Sequence, residues 1–289
     1  MPIPSTPRSA ARLGGLLLAL CGAVCAQERS ETLFDAAFAG DTRRLERLLD
    51  AGADPDARSA DGDTALHLAA GRAHDDAIEL LLDRRADIEA RDRNGATPLH
   101  HAAIRGAPGT VARLLRRGAR VDARNQAGET PLFVAAEYAR IEVARTLLDA
   151  RADPNARTAH GETPLHPAAM SGGPRLVALL IERQSDVNAV NRGGEAPLFW
   201  AAATGALEST RVLVRAGARL DWQDANGNTA LHGAADAGNR DVVELLLAAG
   251  AGRALRNAAG QTPADLARGR GYPEIVALLE PAGAPVQGR

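Results

Sequence analysis

Lysine is absent from the sequence: all 34 basic residues are arginine, set against 36 acidic residues for a formal net charge of -2. A chain this close to neutral lacks the cationic surplus that holds nucleic acid by its phosphates, so no nucleic-acid partner is expected. Aromatic residues make up only 3% of the chain. A core of Ala, Leu and Val suits closely stacked helices better than a sandwich or barrel. Cysteine occurs only at Cys21 and Cys25, which leaves the rest of the chain without a disulfide framework or a sulfur-rich metal site. No Gly-x-Ser-x-Gly elbow or phosphate-binding loop is present. The apolar run at residues 13–24 is too short to span a bilayer comfortably, so no membrane span is expected in the mature chain.

That run sits behind Arg8 and Arg12, the only charges before residue 28, and ahead of Val24-Cys25-Ala26. A positive start, a short apolar stretch and small residues at its end make a secretory signal. Residues 1–26 are therefore expected to be a signal peptide, with the mature chain starting at Gln27. Cleavage before Cys21, as in a lipoprotein, is disfavoured by the bulky Leu20. An organellar presequence would be amphipathic and richer in Arg. The expected location is a bacterial periplasm or the exterior, and both cysteines leave with the signal. Losing Arg8 and Arg12 takes the formal charge from -2 to -4.

The rest of the chain is periodic. Asp63-Thr64-Ala65-Leu66-His67 returns as Ala96-Thr97-Pro98-Leu99-His100, Glu129-Thr130-Pro131-Leu132-Phe133 and Glu162-Thr163-Pro164-Leu165-His166. Further copies begin at Glu195, Asn228 and Gln261, each 33 residues on, and a glycine precedes every one, from Gly62 to Gly260. Thr is a helix cap, and Pro fits the first turn because an N–H there has no helical partner. Small pairs such as Ala69-Ala70 and Ala102-Ala103 let neighbouring helices approach closely. A second helix follows with Leu81-Leu82, Leu114-Leu115, Leu147-Leu148 or close equivalents. Gly118, Gly217 and Gly250 then supply the left-handed residue that ends it. One such unit cannot bury its own apolar face, so the units must stack.

On these residues the chain resembles the ankyrin-repeat family from about Glu31 to Glu280. The resemblance implies an all-α solenoid of helix-turn-helix units with short β-hairpin-like turns. About eight units are expected over residues 27–280. The first shows arginines on its second helix, as a solvent-facing cap would, and the last ends at Glu280. Residues 281–289 are expected to be a disordered tail. Pro167 falls inside a first helix and predicts a strained or late start. With Gly172-Gly173-Pro174 it reads either as tolerated drift or as a softer joint.

The resemblance also implies that His67, His100, His166 and His232, which share one repeat position, hydrogen-bond to backbone between units. Adjacent His100 and His101 point apart and make a poor chelate. His74 and His160 are expected to face solvent. Asp92-Arg93-Asn94-Gly95 and Asp224-Ala225-Asn226-Gly227 lack the downstream glutamate of a calcium loop and read as turns. No cofactor, metal or catalytic residue is expected.

By the same resemblance, partners dock where turn tips and first helices meet. Arg58, Arg91, Arg124, Arg157 and Arg256 form a row before the turns, interrupted at Val190 and Gln223. The row suits either an acidic partner or internal pairing with Asp63, Glu129, Glu162 and Glu195. Arg93 and Arg105 add to it. Tyr138 and Trp222 are candidate aromatic anchors, with Ile104 and Met170 as further apolar surface. Phe199 and Trp200 are expected to fill space between the repeats that begin at Glu195 and Asn228. The reading is a monomeric, non-catalytic scaffold that binds another protein. A secreted, host-directed effector and an enzyme with an unrecognised site are the alternatives.

Overall fold

A computed structural model describes residues 33–171 and 173–280. The expected signal peptide and C-terminal tail lie outside the described residues. Among the described residues, eight helix pairs follow one another. The first helices are α1 (33–39), α3 (Ala65–Arg72), α5 (Pro98–Arg105), α7 (Pro131–Glu137), α9 (Leu165–Met170), α11 (Pro197–Ala203), α13 (Ala230–Asp236) and α15 (Pro263–Arg270). Their partners are α2 (Thr42–Asp50), α4 (Asp75–Asp83), α6 (Pro108–Arg116), α8 (Ile141–Asp149), α10 (Pro174–Glu182), α12 (Leu207–Arg215), α14 (Arg240–Ala248) and α16 (Pro273–Leu279). First helices pack on first helices and second on second, which makes a solenoid. The alanine pairs are fully buried at these crossings, and one leucine of each second-helix pair, such as Leu81, Leu114, Leu147 and Leu180, has no exposed surface.

No described residue forms a β-strand. The links are hydrogen-bonded turns instead. In one of them Asn125 N–H donates to the Glu129 carbonyl at 3.0 Å and Gly128 N–H to the Asn125 carbonyl at 3.0 Å. A single backbone bond then joins each turn to the next, as from Gln126 N–H to the Asn94 carbonyl at 2.8 Å and from Ala159 N–H to the Ala127 carbonyl at 2.8 Å. One bond per neighbour is too few for a ladder. Gly128 shows why the tip needs glycine: its φ is +77°, and a Cβ there would sit 2.9 Å from the Ala159 nitrogen of the next turn.

Four of the seams between repeats are also latched by a histidine, whereas Phe133 and Phe199, at the same repeat position, offer no such donor. Thr64 N–H and hydroxyl meet His67 Nδ1 at 3.2 and 2.9 Å, and His67 Nε2 donates to the Ala96 carbonyl of the next repeat at 3.0 Å. His100, His166 and His232 repeat this, reaching the Glu129, Glu195 and Gln261 carbonyls at 3.1 Å. Nδ1 receives a backbone donor, so the rings are neutral with the proton on Nε2. Burial pushes His67 and His100 down to about 4 and lowers His166 and His232 as well. Asp265, in the last repeat, keeps only the capping half of the latch, accepting from Thr262 N–H at 2.9 Å.

Pro167 has the effect expected of it. Helix α9 starts at Leu165, one position later than its sisters, and has six residues, yet Ala168 and Ala169 are fully buried. Packing holds the register that the local sequence weakens. Beyond the second helices the left-handed position is filled by Gly118, Gly217 and Gly250 at φ +98°, +85° and +97°, but also by Arg85, Arg151 and Gln184 at +65° to +69°. In the first unit Arg43, Arg44 and Glu46 are exposed on α2, as a terminal cap requires.

Candidate protein-binding face

The arginine row does not pair with Asp63, Glu129, Glu162 and Glu195; its nearest partners are backbone carbonyls. Arg91 Nη1 donates to the Gly95 carbonyl at 3.0 Å and to the Arg124 carbonyl of the next repeat at 2.6 Å. Arg124 reaches the Arg157 carbonyl at 2.7 Å, and Arg157 reaches the Val190 carbonyl at 2.6 Å. Arg58 bridges in the same way to the Arg91 carbonyl. The acceptors are backbone oxygens, not the acidic residues downstream; the nearest such pair, Arg256 with Asp265, is 3.9 Å apart. The row is exposed but is a set of staples along the turn edge, with Nη1 of each guanidinium already committed to backbone.

The row breaks where Val190 has no donor to offer. There the Gly194 carbonyl is met from the other side by Trp222 Nε1 at 2.7 Å. Gln223 resumes the series, donating to the Gly227 and Arg256 carbonyls at 2.7 and 3.0 Å. Trp222 is 39% exposed, and the Arg219 guanidinium lies 5.7 Å from its ring centroid. Its indole N–H is thus structural, and only its ring face is open to a partner. Trp200 is half-buried, donates to Glu195 Oε2 at 2.9 Å and meets His166 of the preceding repeat edge-on, not the following repeat as expected. Phe199 packs against Gly233 of the following repeat, as expected.

Ile104, Tyr138 and Met170 are exposed at the ends of α5, α7 and α9, at 38%, 48% and 42%. Ile104 and Tyr138 share a groove of about 500 Å³ between first helices and turns, bordered by His101, Gln126, Glu129 and Glu137. Met170 and Trp222 do not line it. Arg105 is exposed beside Ile104, while Arg93 is exposed on the turn, 3.8 Å from Asp61. Burial, reinforced by the charges of Glu129 and Glu162, pushes the Glu137 carboxyl up. A similar, smaller groove of about 230 Å³ lies at Phe199, His232 and Asp236. Phe38, 46% exposed, carries the Arg72 guanidinium 3.8 Å over its ring and extends the same helix-end position. The repeat offered that signal, since Phe38, Ile104 and Met170 stand in one column.

One of the remaining histidines differs from expectation. His74 is half-buried and bonds to the Phe38 carbonyl at 3.0 Å, whereas His160 is exposed. His101 does point away from His100, but it turns toward carboxylates: its Nε2 lies 3.0 Å from Asp92 Oδ2 and 3.7 Å from Asp63 Oδ1. Asp92 Oδ1 accepts from Asn94 and Ala96 N–H at 2.8 and 2.9 Å, the turn geometry expected of that loop. Burial acts to raise Asp92, but hydrogen bonds from His101, Ala96 and Asn94 outweigh it and hold the carboxyl below its usual range. Asp63, from a different repeat, is raised, chiefly by burial. Linear spacing does not show this trio, because the fold assembles it across a seam.

No curated protein matches the chain. The family model described as ankyrin repeats (3 copies) matches it in overlapping segments, 33–125, 87–158, 106–191, 151–224, 166–257 and 198–287. Ankyrin repeats are protein-interaction scaffolds, typically without enzymatic activity, and no described helix is long and apolar enough to cross a membrane. With matches from residue 33 to residue 287 and a helix pair in every period, the chain belongs to the ankyrin-repeat family.

Proposed function

We propose that this chain is an exported, monomeric scaffold that binds one segment of a partner protein in the groove between α5, α7 and their turns. The observation that carries this reading is the pairing of exposed Ile104 and Tyr138 across a groove of about 500 Å³. Apolar side chains exposed in a concavity are what an interface core is made of. The carboxylates of Glu129 and Glu137 beside them favour a segment that combines apolar side chains with a Lys or Arg. This replaces the acidic partner inferred from the arginine row, whose donors are partly spent on backbone. The arginines and the Trp222 ring then belong to the rim, where charge acts on association rate more than on affinity. An effector role in a host would use the same groove.

Crosslinking in an envelope extract with the chain as bait, followed by mass spectrometry, identifies the partner. Tyr138→Ala and Ile104→Ala should each weaken it by about 1–3 kcal/mol, as anchor truncations do, and Glu137→Arg should weaken it too. Full affinity in all three variants refutes the groove. Export is tested by N-terminal sequencing: a start at Gln27 in the periplasmic or culture fraction supports it, and intact Met1 in the cytosol defeats it.

A further inference from the structure

The carboxylates at the repeat starts follow one pattern, with a single departure. Glu129, Glu162 and Glu195 each accept from a side chain in their own turn: Asn125 Nδ2 at 2.7 Å, Thr158 Oγ1 at 3.0 Å and Asn191 Nδ2 at 2.8 Å. At Asp63 the equivalent residue is Ser59, whose hydroxyl accepts from Asp61 and Asp63 N–H at 3.2 and 3.1 Å. Asp63 Oδ1 is buried with no hydrogen-bond partner. It faces His101 and Asp92 of the next repeat instead. Among the repeats that follow the capping unit, which has Asp35 there, His101 is the departure in its column, where the others have Leu68, Val134, Pro167, Trp200, Gly233 and Leu266.

We propose that Asp63, Asp92 and His101 form a site for a divalent transition-metal cation of the zinc type, bridging two successive repeats. The three ligand atoms lie within 4.8 Å of one another. A cation about 2.1 Å from each ligand sets them about 3.0–3.4 Å apart at octahedral to tetrahedral angles. The His101–Asp92 distance of 3.0 Å already meets that, and the His101–Asp63 distance of 3.7 Å is a small side-chain rotation away. Asp92 is held through Oδ1 by the turn, so Oδ2 can exchange its hydrogen bond from His101 Nε2 for the cation, with the Nε2 proton released, without disturbing the backbone. Side chains 18%, 9% and 22% exposed, at Asp63, Asp92 and His101, exclude most water, while the adjoining groove supplies a route for the ion and for water ligands. One imidazole with two carboxylates suits zinc, cobalt or nickel; calcium needs more oxygens. Asp63 Oδ1, buried without a hydrogen-bond partner, gains one in a cation at this point.

The test uses the full chain carrying Cys21→Ser and Cys25→Ser, stripped by chelator and titrated with ZnCl2 in a calorimeter. One equivalent should bind and raise the melting temperature. His101→Ala should abolish that binding, and the isosteric Asp63→Asn should weaken it at least about tenfold, while His160→Ala leaves it unchanged. Circular dichroism confirms that each variant folds, and if His101→Ala does not, Asp63→Asn decides alone. Absence of saturable zinc binding, or one-equivalent binding that survives the Asp63 and His101 changes, overturns the proposal.

Discussion

Mild acid should loosen this protein through its buried histidines, and the size of the effect follows from the latch. In the folded chain Nδ1 of each latch ring accepts from a threonine N–H, so protonation places donor against donor. Unfolded histidine titrates near its ordinary value of 6.5, while His67 and His100 are held down to about 4. Between those values the unfolded chain binds more protons than the folded one, and stability falls as pH falls. Above 6.5 the latches are intact in full; below about 4 the loss is complete. The span of roughly 2.5 pH units corresponds to about 3 kcal/mol for each of these two rings. Two such losses, with smaller ones from His166 and His232, are comparable to the ~5–15 kcal/mol that holds a typical domain folded. Urea unfolding followed by circular dichroism at intervals from pH 7.5 to 4.5 should show a constant midpoint at first, then a steep decline. Gln can mimic both hydrogen bonds without titrating, so His67→Gln, His100→Gln, His166→Gln and His232→Gln together should flatten the decline. A wild-type midpoint that stays level to pH 4.5, or a fourfold variant as acid-sensitive as wild type, would refute the reasoning.

Three further outcomes are expected. Leu147→Ala, at a site with no exposed surface, should cost about 2–5 kcal/mol in chemical unfolding; under 1 kcal/mol would contradict the buried seam. Arg151→Gly should stabilise by about 1 kcal/mol, because it relieves a left-handed residue at φ +67° where sister repeats have glycine. A lower melting temperature would show that the Arg151 side chain matters more than its backbone. Trp222→Phe should cost about 1 kcal/mol by removing the donor to the Gly194 carbonyl, and adding Val190→Arg should recover part of it. Additive effects in that double-mutant cycle would mean that the two positions do not serve one carbonyl.

The sequence shows the fold because every repeat states it again. Period, caps, alanine pairs and latch histidines concern contacts between equivalent positions, which a register of 33 makes visible. Pro167 was legible for the same reason, as one exception in a column. The arginine row was visible as a pattern, but its use was not. Nothing in composition says that a guanidinium will reach a carbonyl one repeat ahead rather than a nearby carboxylate. Trp222 stood out as an aromatic in place of alanine, and only the fold connects it with Val190 in the preceding repeat. Its replacement should therefore move the melting temperature, contrary to what an exposed anchor would predict. Asp63, Asp92 and His101 sit in three different columns, so no single column singles them out together. Ile104 and Tyr138 were chosen for exposure at helix ends, and the fold adds that they share one groove while Met170 and Trp222 stand apart from it.

The seams have an evolutionary reading. A threonine–histidine latch reaches forward, a turn N–H reaches back, and an arginine spans to the next carbonyl, each across one repeat. A copying error that duplicates or deletes one whole unit in frame rejoins halves that still carry matching donors and acceptors. Length can therefore change in a single step without a new interface. The Val190–Trp222 seam is the place where this freedom ends. The two residues lie in different repeats and complement each other, so recombination between them would join an edge without an arginine to a repeat without the tryptophan. Variants of this chain that gain or lose repeats should keep that pair of neighbours together and change length on either side of it.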